Sequence, residues 1–157
     1  DKRYKHGEFT NQDSIHLSDS LKYYTLRKHR VVYGGGGIMP DYFVPLDTTK
    51  YTKMHRQLAA KSIVINQSLK NQYKDFNKFL ATYEVPSSLI EAIIAEGKKE
   101  KIEPKDEAEL AQTKKYLAVQ LKALVARDIW DMSQYFQVWN ETNEIVQRAV
   151  KLLTTGK

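Results

Sequence analysis

The stretch DEAELAQTKKYLAVQLKALVARDIWDMSQYF, Asp106–Phe136, decides the fold class. Asp106 followed three residues on by Glu109 resembles a capping box, the reciprocal pairing that satisfies free N–H groups at a helix start. Leu110, Leu117, Leu121, Leu124, Met132 and Phe136 then follow a helical stripe, which predicts helix as far as Phe136. Downstream, Asn143 suits the cap of a final short helix carrying Ile145, Val146, Ala149, Val150 and Leu153. Upstream, Pro86 suits the first turn of a helix whose apolar face is Leu89, Ile90, Ile93 and Ile94. Gly97 and Pro104 mark its end and a charged connection. Tyr73, Phe76, Phe79, Leu80 and Tyr83 form a further apolar stretch. Before it, Tyr51, Met54, Leu58, Ile63 and Leu69 recur at spacings near three and four, and Thr48 or Thr49 is the expected cap.

The first part of the chain reads differently. Ser14–Leu26 contains Ile15, Leu17, Leu21, Tyr24 and Leu26, and Tyr23–Leu26 favours an extended segment. Four glycines, Gly34–Gly37, then lie between Val31-Val32-Tyr33 and Tyr42-Phe43-Val44, both of which favour strand. Pro40 and Pro45 cannot donate to a ladder and so bound the second strand. Four consecutive glycines persist where side chains do not fit or φ must be positive. The expectation is strand, tight glycine crossing, strand. The chain as a whole is expected to be mainly α: a strand-and-loop segment over residues 1–47, then an all-helical domain over residues 48–157.

Composition narrows the function classes. At 157 residues the chain can bury roughly 70% of its unfolded surface, enough for one ordinary core. Hydrophobic residues at 41% and charged ones at 28% are those of a globular protein. The absence of cysteine excludes disulfides, thiolate zinc sites and cysteine nucleophiles. No apolar stretch reaches ~18 residues, so no membrane span is expected. The net charge is +6, yet acids are interspersed with bases through Glu96–Lys105 and Glu107–Lys115. Only Lys22–Arg30 is densely basic, so no nucleic-acid partner is expected.

The run from Arg30 to Pro45 closely resembles the hallmark of the C-terminal processing peptidases, or tail-specific proteases, a family of serine peptidases. That hallmark reads GR-x-x-(Y)-GGGGI-x-PD-x-x-VP, and Arg30–Pro45 match nearly all of it. His29 stands where the family usually has glycine; a left-handed turn there is open to histidine, less readily than to glycine. Tyr33, Met39 and Pro45 are similar to the Bacteroidetes branch. Weaker likeness continues through Asp47-Thr48-Thr49, Tyr51-Thr52, the spacing of Phe76, Phe79, Tyr83, Val85 and Pro86, and Leu121–Trp130. The resemblance implies a protease whose serine nucleophile and lysine base lie upstream of the glycine run, with a PDZ-like domain further upstream. It implies a bacterial periplasmic or envelope enzyme, of which this chain is the C-terminal part and inactive alone. Protein or peptide substrates would then be handled by upstream domains. Val31–Val44, lacking the sheet it should join, is expected to self-associate or to be poorly ordered.

Other candidate sites weigh less. The glycines are not followed by Lys-Ser/Thr, as a Walker loop requires, and Pro40-Asp41 argues against a Rossmann helix; no nucleotide cofactor is expected. Ser18 and Lys22 sit four apart, a spacing that could share a helix face as nucleophile and base, but only Leu21, Tyr23 and Tyr24 offer Lys22 apolar cover. His6, His16, His29 and His55 are scattered, so a metal site could arise only through folding. Asp41 is expected to accept from backbone N–H groups of the glycine turn. Trp130, Tyr135, Phe136 and Trp139 are expected to pack a core rather than to line a peptide groove. No catalytic, cofactor or metal residue is therefore assigned within the chain. The rival to the protease reading is a non-catalytic helical module for interaction or dimerisation.

Overall fold

The structure, a computed structural model, describes residues 5–34, 41–59 and 73–155. The chain divides into two compact units, Asp1–Asp47 and Thr48–Lys157. The expected crossing at Gly35–Gly37 and the apolar positions Ile63 and Leu69 lie outside the described residues.

The first unit is a small hairpin with flanking turns. β1 (Lys22–Tyr24) pairs antiparallel with β2 (Val31–Tyr33), Tyr23 opposite Val32. The turn between them is closed by His29 N–H to the Thr25 carbonyl and Arg30 N–H to Thr25 Oγ1, both at 3.0 Å. His29 takes φ +45°, the left-handed turn anticipated for it. Gly34 N–H donates to the Leu21 carbonyl, and a Cβ on Gly34 would lie 3.0 Å from the Tyr23 ring, so backbone passes where a side chain would crowd. The expected second strand is a correction: β2 pairs with β1 before it, and Tyr42–Val44 is loop. A strand needs a ladder partner for its backbone groups; β1 is already paired with β2, and close by Leu46 N–H donates to the Phe9 carbonyl in a turn contact. No described residue of this unit is buried.

The second unit is helical: α1 (Lys53–Ala59), α2 (Phe76–Thr82), α3 (Ser87–Lys99), α4 (Glu107–Ile129), α5 (Met132–Trp139) and α6 (Glu144–Thr155). α4 is its axis, with α1, α3 and α5 packed around it. One core cluster joins Met54, Leu58, Ile94, Ile102, Leu117 and Leu121; Phe79, Tyr83, Ala123, Val125, Ala126 and Val138 form the other. Apolar surface removed from water stabilises by roughly 25 cal/mol per Å², and in the described chain every fully buried side chain belongs to this unit.

Caps explain most helix boundaries. Asp106 Oδ1 accepts from Glu109 N–H at 2.7 Å, as expected of the box. Glu109 returns not to Asp106 but to Lys105 N–H, at 2.8 Å, and its other oxygen reaches Met54 N–H at 3.4 Å. The start of α4 thereby holds the start of α1. The cap of α1 is Thr52, whose Oγ1 accepts from His55 N–H at 3.0 Å, rather than Thr48 or Thr49. Asn143 caps α6 through Ile145 and Val146 N–H, as anticipated. Pro86 stands as the N-cap of α3, one residue before the first turn.

Two expected helix ends are displaced. Gly97 lies inside α3, and a Cβ there would come within 2.4 Å of Leu58 Cδ2; the glycine lets α1 approach. The left-handed residue that ends α3 is Lys101, φ +60°. The helical stripe does not run through to Phe136. The chain breaks at Trp130, and Asp131 Oδ1 caps α5 through Ser133 N–H at 2.6 Å. Met132 and Phe136 are consequently about half exposed, at 49% and 50%.

Candidate functional site

The sequence-nominated pairs do not assemble into catalytic machinery. Ser18 is the cap of a short 3-10 turn, its Oγ 2.7 Å from Ser20 Oγ and accepting from Ser20 N–H. Lys22 is exposed on β1, so no helix face brings the two together. Asp41 pairs with the Arg30 guanidinium, which raises the guanidinium's pKa through that hydrogen bond. The expected acceptance from the N–H groups of the glycine turn falls on Gly35–Gly37, outside the described residues. His6 and His16 do come to line one cavity of about 570 Å³ in the first unit, with Glu8, Asn11, Asp13 and Ser14. Among the described residues no three His, Asp or Glu side chains are placed to hold a metal ion.

The four nominated aromatics serve two neighbourhoods. Trp130 packs edge-on to Phe76 and Phe79, each at 5.3 Å, inside the second core cluster. Trp139 stacks on Tyr51 at 5.6 Å and on Tyr135 at 6.0 Å. Phe136 meets Tyr135 edge-on but faces solvent. Core packing therefore describes Trp130, while Phe136 stands half outside it.

The most elaborate polar arrangement begins just before α1. Lys50, 8% exposed, donates from Nζ to the Thr142 carbonyl and lies over the Tyr51 and Tyr116 rings at 5.8 and 5.3 Å. Gln112 on α4 donates to the Thr49 and Lys50 carbonyls at 3.0 and 2.9 Å. Thr52 Oγ1 and the fully buried Thr113 Oγ1 are 2.6 Å apart. Burial pushes the Tyr51 hydroxyl above its ordinary pKa, helped by Tyr116 and Tyr135.

Beside this knot lies a groove of about 440 Å³. One wall is Thr48, Thr49, Tyr51, Thr52, Lys53 and Arg56; the other is Lys105, Asp106, Ala108, Glu109 and Gln112. Asp106 is held below the ordinary carboxylate range chiefly by Glu109 N–H, and Glu109 chiefly by Lys105 N–H. Both carboxylates are thus spent on capping. The groove offers hydroxyls and ammonium groups but no nucleophile matched to a base. Reasoning from the sequence missed Lys50, because nothing local marks a lysine that will be buried by rings and a carbonyl from the far end of the unit.

A model described as a family of unknown function (DUF8443) matches residues 52–131, half of the chain. The chain belongs to this family. The DUF8443 span starts at Thr52, the cap of α1, and ends at Asp131, the cap of α5. It therefore covers α1 to α4, one wall of the groove in part and the other in full, and leaves α5 and α6 outside. No curated protein and no solved structure matches the chain. Among the described residues of the DUF8443 span, the buried polar side chains are His55 and Thr113.

Proposed function

We propose that the chain is the C-terminal part of a serine endopeptidase of the C-terminal processing class, acting in the bacterial periplasm or envelope. The parent cleaves proteins through an acyl-enzyme formed on a serine activated by a lysine, both outside residues 1–157. The resemblance of Arg30–Pro45 to the hallmark of that class is the basis of the reading.

The structural observation in its support is the first unit. It presents a two-stranded ladder with Tyr23, Tyr24, Val31 and Val32 exposed at 57%, 59%, 45% and 41%, on both faces of the hairpin. An isolated two-stranded hairpin is marginal in water and is stabilised by joining a larger sheet or packing on a helix. That is the behaviour of a piece that completes another core. The helical unit, with its own core, is the appended domain.

The test is proteolysis. The isolated chain is expected to hydrolyse no unstructured protein, because oxyanion stabilisation and nucleophile must come from elsewhere. The product of the gene read upstream of the Asp1 codon is expected to hydrolyse it and to lose that activity when its core serine is replaced by alanine. Turnover by the isolated chain that disappears in Ser18→Ala would refute the reading.

A second reading, a helical interaction module without proteolysis, has one observation in its favour. Ile145, Val150 and Leu153 on α6 are 51%, 48% and 87% exposed, an apolar face left open to a partner. An upstream coding sequence without serine and lysine in an α/β pattern would decide for it.

A further inference from the structure

His55 is 3% exposed, and its Nδ1 has no hydrogen-bond partner. It sits on the inner face of α1 between the buried Met54 and Leu58, its ring 5.2 Å from that of Tyr51. The charged neighbour that bears on its electrostatics, Arg56, is itself a cation. From its own segment come Tyr51, uncharged with a raised pKa, and Arg56, positively charged. From α4 comes the Thr113 backbone, which accepts one hydrogen bond from the ring. α3 meets α1 at Gly97, against Leu58. Glu109, the nearest capping carboxylate of α4, is engaged by Met54 and Lys105 N–H. No carboxylate among the described residues makes an ion pair with the imidazole.

We propose that His55 makes α1 an acid-releasable latch on α4: protonation of its buried imidazole frees α1 from its seat. Among the described residues, the fastenings that would part include the Thr52–Thr113 hydroxyl contact, the Glu109–Met54 bond, the His55–Thr113 bond and the packing of Met54 and Leu58. Over its described residues, Lys53–Ala59, α1 depends on its seat, because tertiary packing of one face supplies most of a helix's stability in a protein. Lys53 and Arg56 of α1 line the groove, so release of α1 withdraws them from it, while Thr49 and Lys50 stay tied to Gln112. The switch thus governs whether Lys53 and Arg56 face the groove beside Lys105.

The direction follows from linkage. Burial, with Arg56 as a lesser cause, lowers the His55 pKa below its ordinary 6.5, against the pull of Thr113. A histidine kept neutral in the closed state gives a stability present above about pH 6.5 and lost as pH falls below it. If the opened state protonates at 6.5 and the closed state not at all, the opened fraction rises about tenfold between about pH 7.5 and pH 5.5. Asp106 and Glu109, with lowered pKa values, stay ionised through that window.

The experiment is amide hydrogen exchange on the full chain at those two pH values, corrected for intrinsic rates. Protection across residues 53–59 is expected to fall about tenfold relative to the centre of α4, and His55→Gln is expected to abolish that fall. A wild-type titration of the His55 ring by NMR runs alongside and needs no variant to fold. Protection that does not change with pH would overturn the proposal. So would an equal fall across α4, an unchanged response in His55→Gln, or an imidazole titrating at or above 6.5.

Discussion

Lys101 shows what one backbone position is worth. Its N–H donates to the Lys98 carbonyl at 2.9 Å, and Ile102 N–H reaches back to the Gly97 carbonyl at 2.9 Å. That pairing is a Schellman ending, in which the residue in Lys101's place usually is glycine. A side chain at φ +60° crowds its own carbonyl by roughly 1 kcal/mol. Ile102, 7% exposed, packs into the first core cluster, so the chain is held in this conformation despite the strain. Lys101→Gly is therefore expected to stabilise the helical unit by about 0.5–1 kcal/mol. A higher urea midpoint at unchanged slope would register it; a lower midpoint would mean that the lysine contributes contacts the turn geometry does not reveal. Gly97 shows the opposite case, a glycine kept by its neighbour Leu58 and not by its own φ.

At the scale of elements, the join between α4 and α5 rests on Asp131. Its carboxylate caps α5, so Asp131→Ala is expected to cost about 1 kcal/mol and to loosen α5 before α4. Faster amide exchange over residues 132–139, with α4 unchanged, would be the signature. The break itself explains what was legible in the sequence. Asp106 and Asn143 were readable as caps because a side chain bonding to N–H groups two or three residues on is a local event. The stripe through Met132 and Phe136 was not, because helical spacing continues unaltered across a one-residue interruption. Ala123, Val125 and Ala126 are buried while Leu124 between them is only partly so. Counting large apolar residues on one face overlooks them, since α4 is enclosed from more than one side by α1, α3 and α5. The Ser18–Lys22 spacing presupposed a helix where the chain forms a 3-10 turn and a strand.

At the scale of the molecule, the two units differ in what holds them. The helical unit has two buried clusters, and Lys50 and Gln112 fasten the segment before α1 to Thr142 and to α4. Among its described residues the first unit has a three-residue ladder, turn bonds and an exposed Arg30–Asp41 ion pair, which solvent screens heavily. Ordering one residue's backbone costs roughly 1–2 kcal/mol, which such contacts do not offset over dozens of residues. A fragment of residues 48–157 is therefore expected to unfold cooperatively by itself. A fragment of residues 1–47 is expected to show no cooperative transition at micromolar concentration. At higher concentration its unpaired strand edges offer a ladder to a second copy, so any strand signal in circular dichroism should grow with concentration. A monomeric 1–47 fragment with a sharp melting transition would count against this, and equally against the role assigned to it as the closing piece of another core. A strand signal that appears only on adding an upstream protease core would identify the surface for which Tyr23, Tyr24, Val31 and Val32 are left exposed.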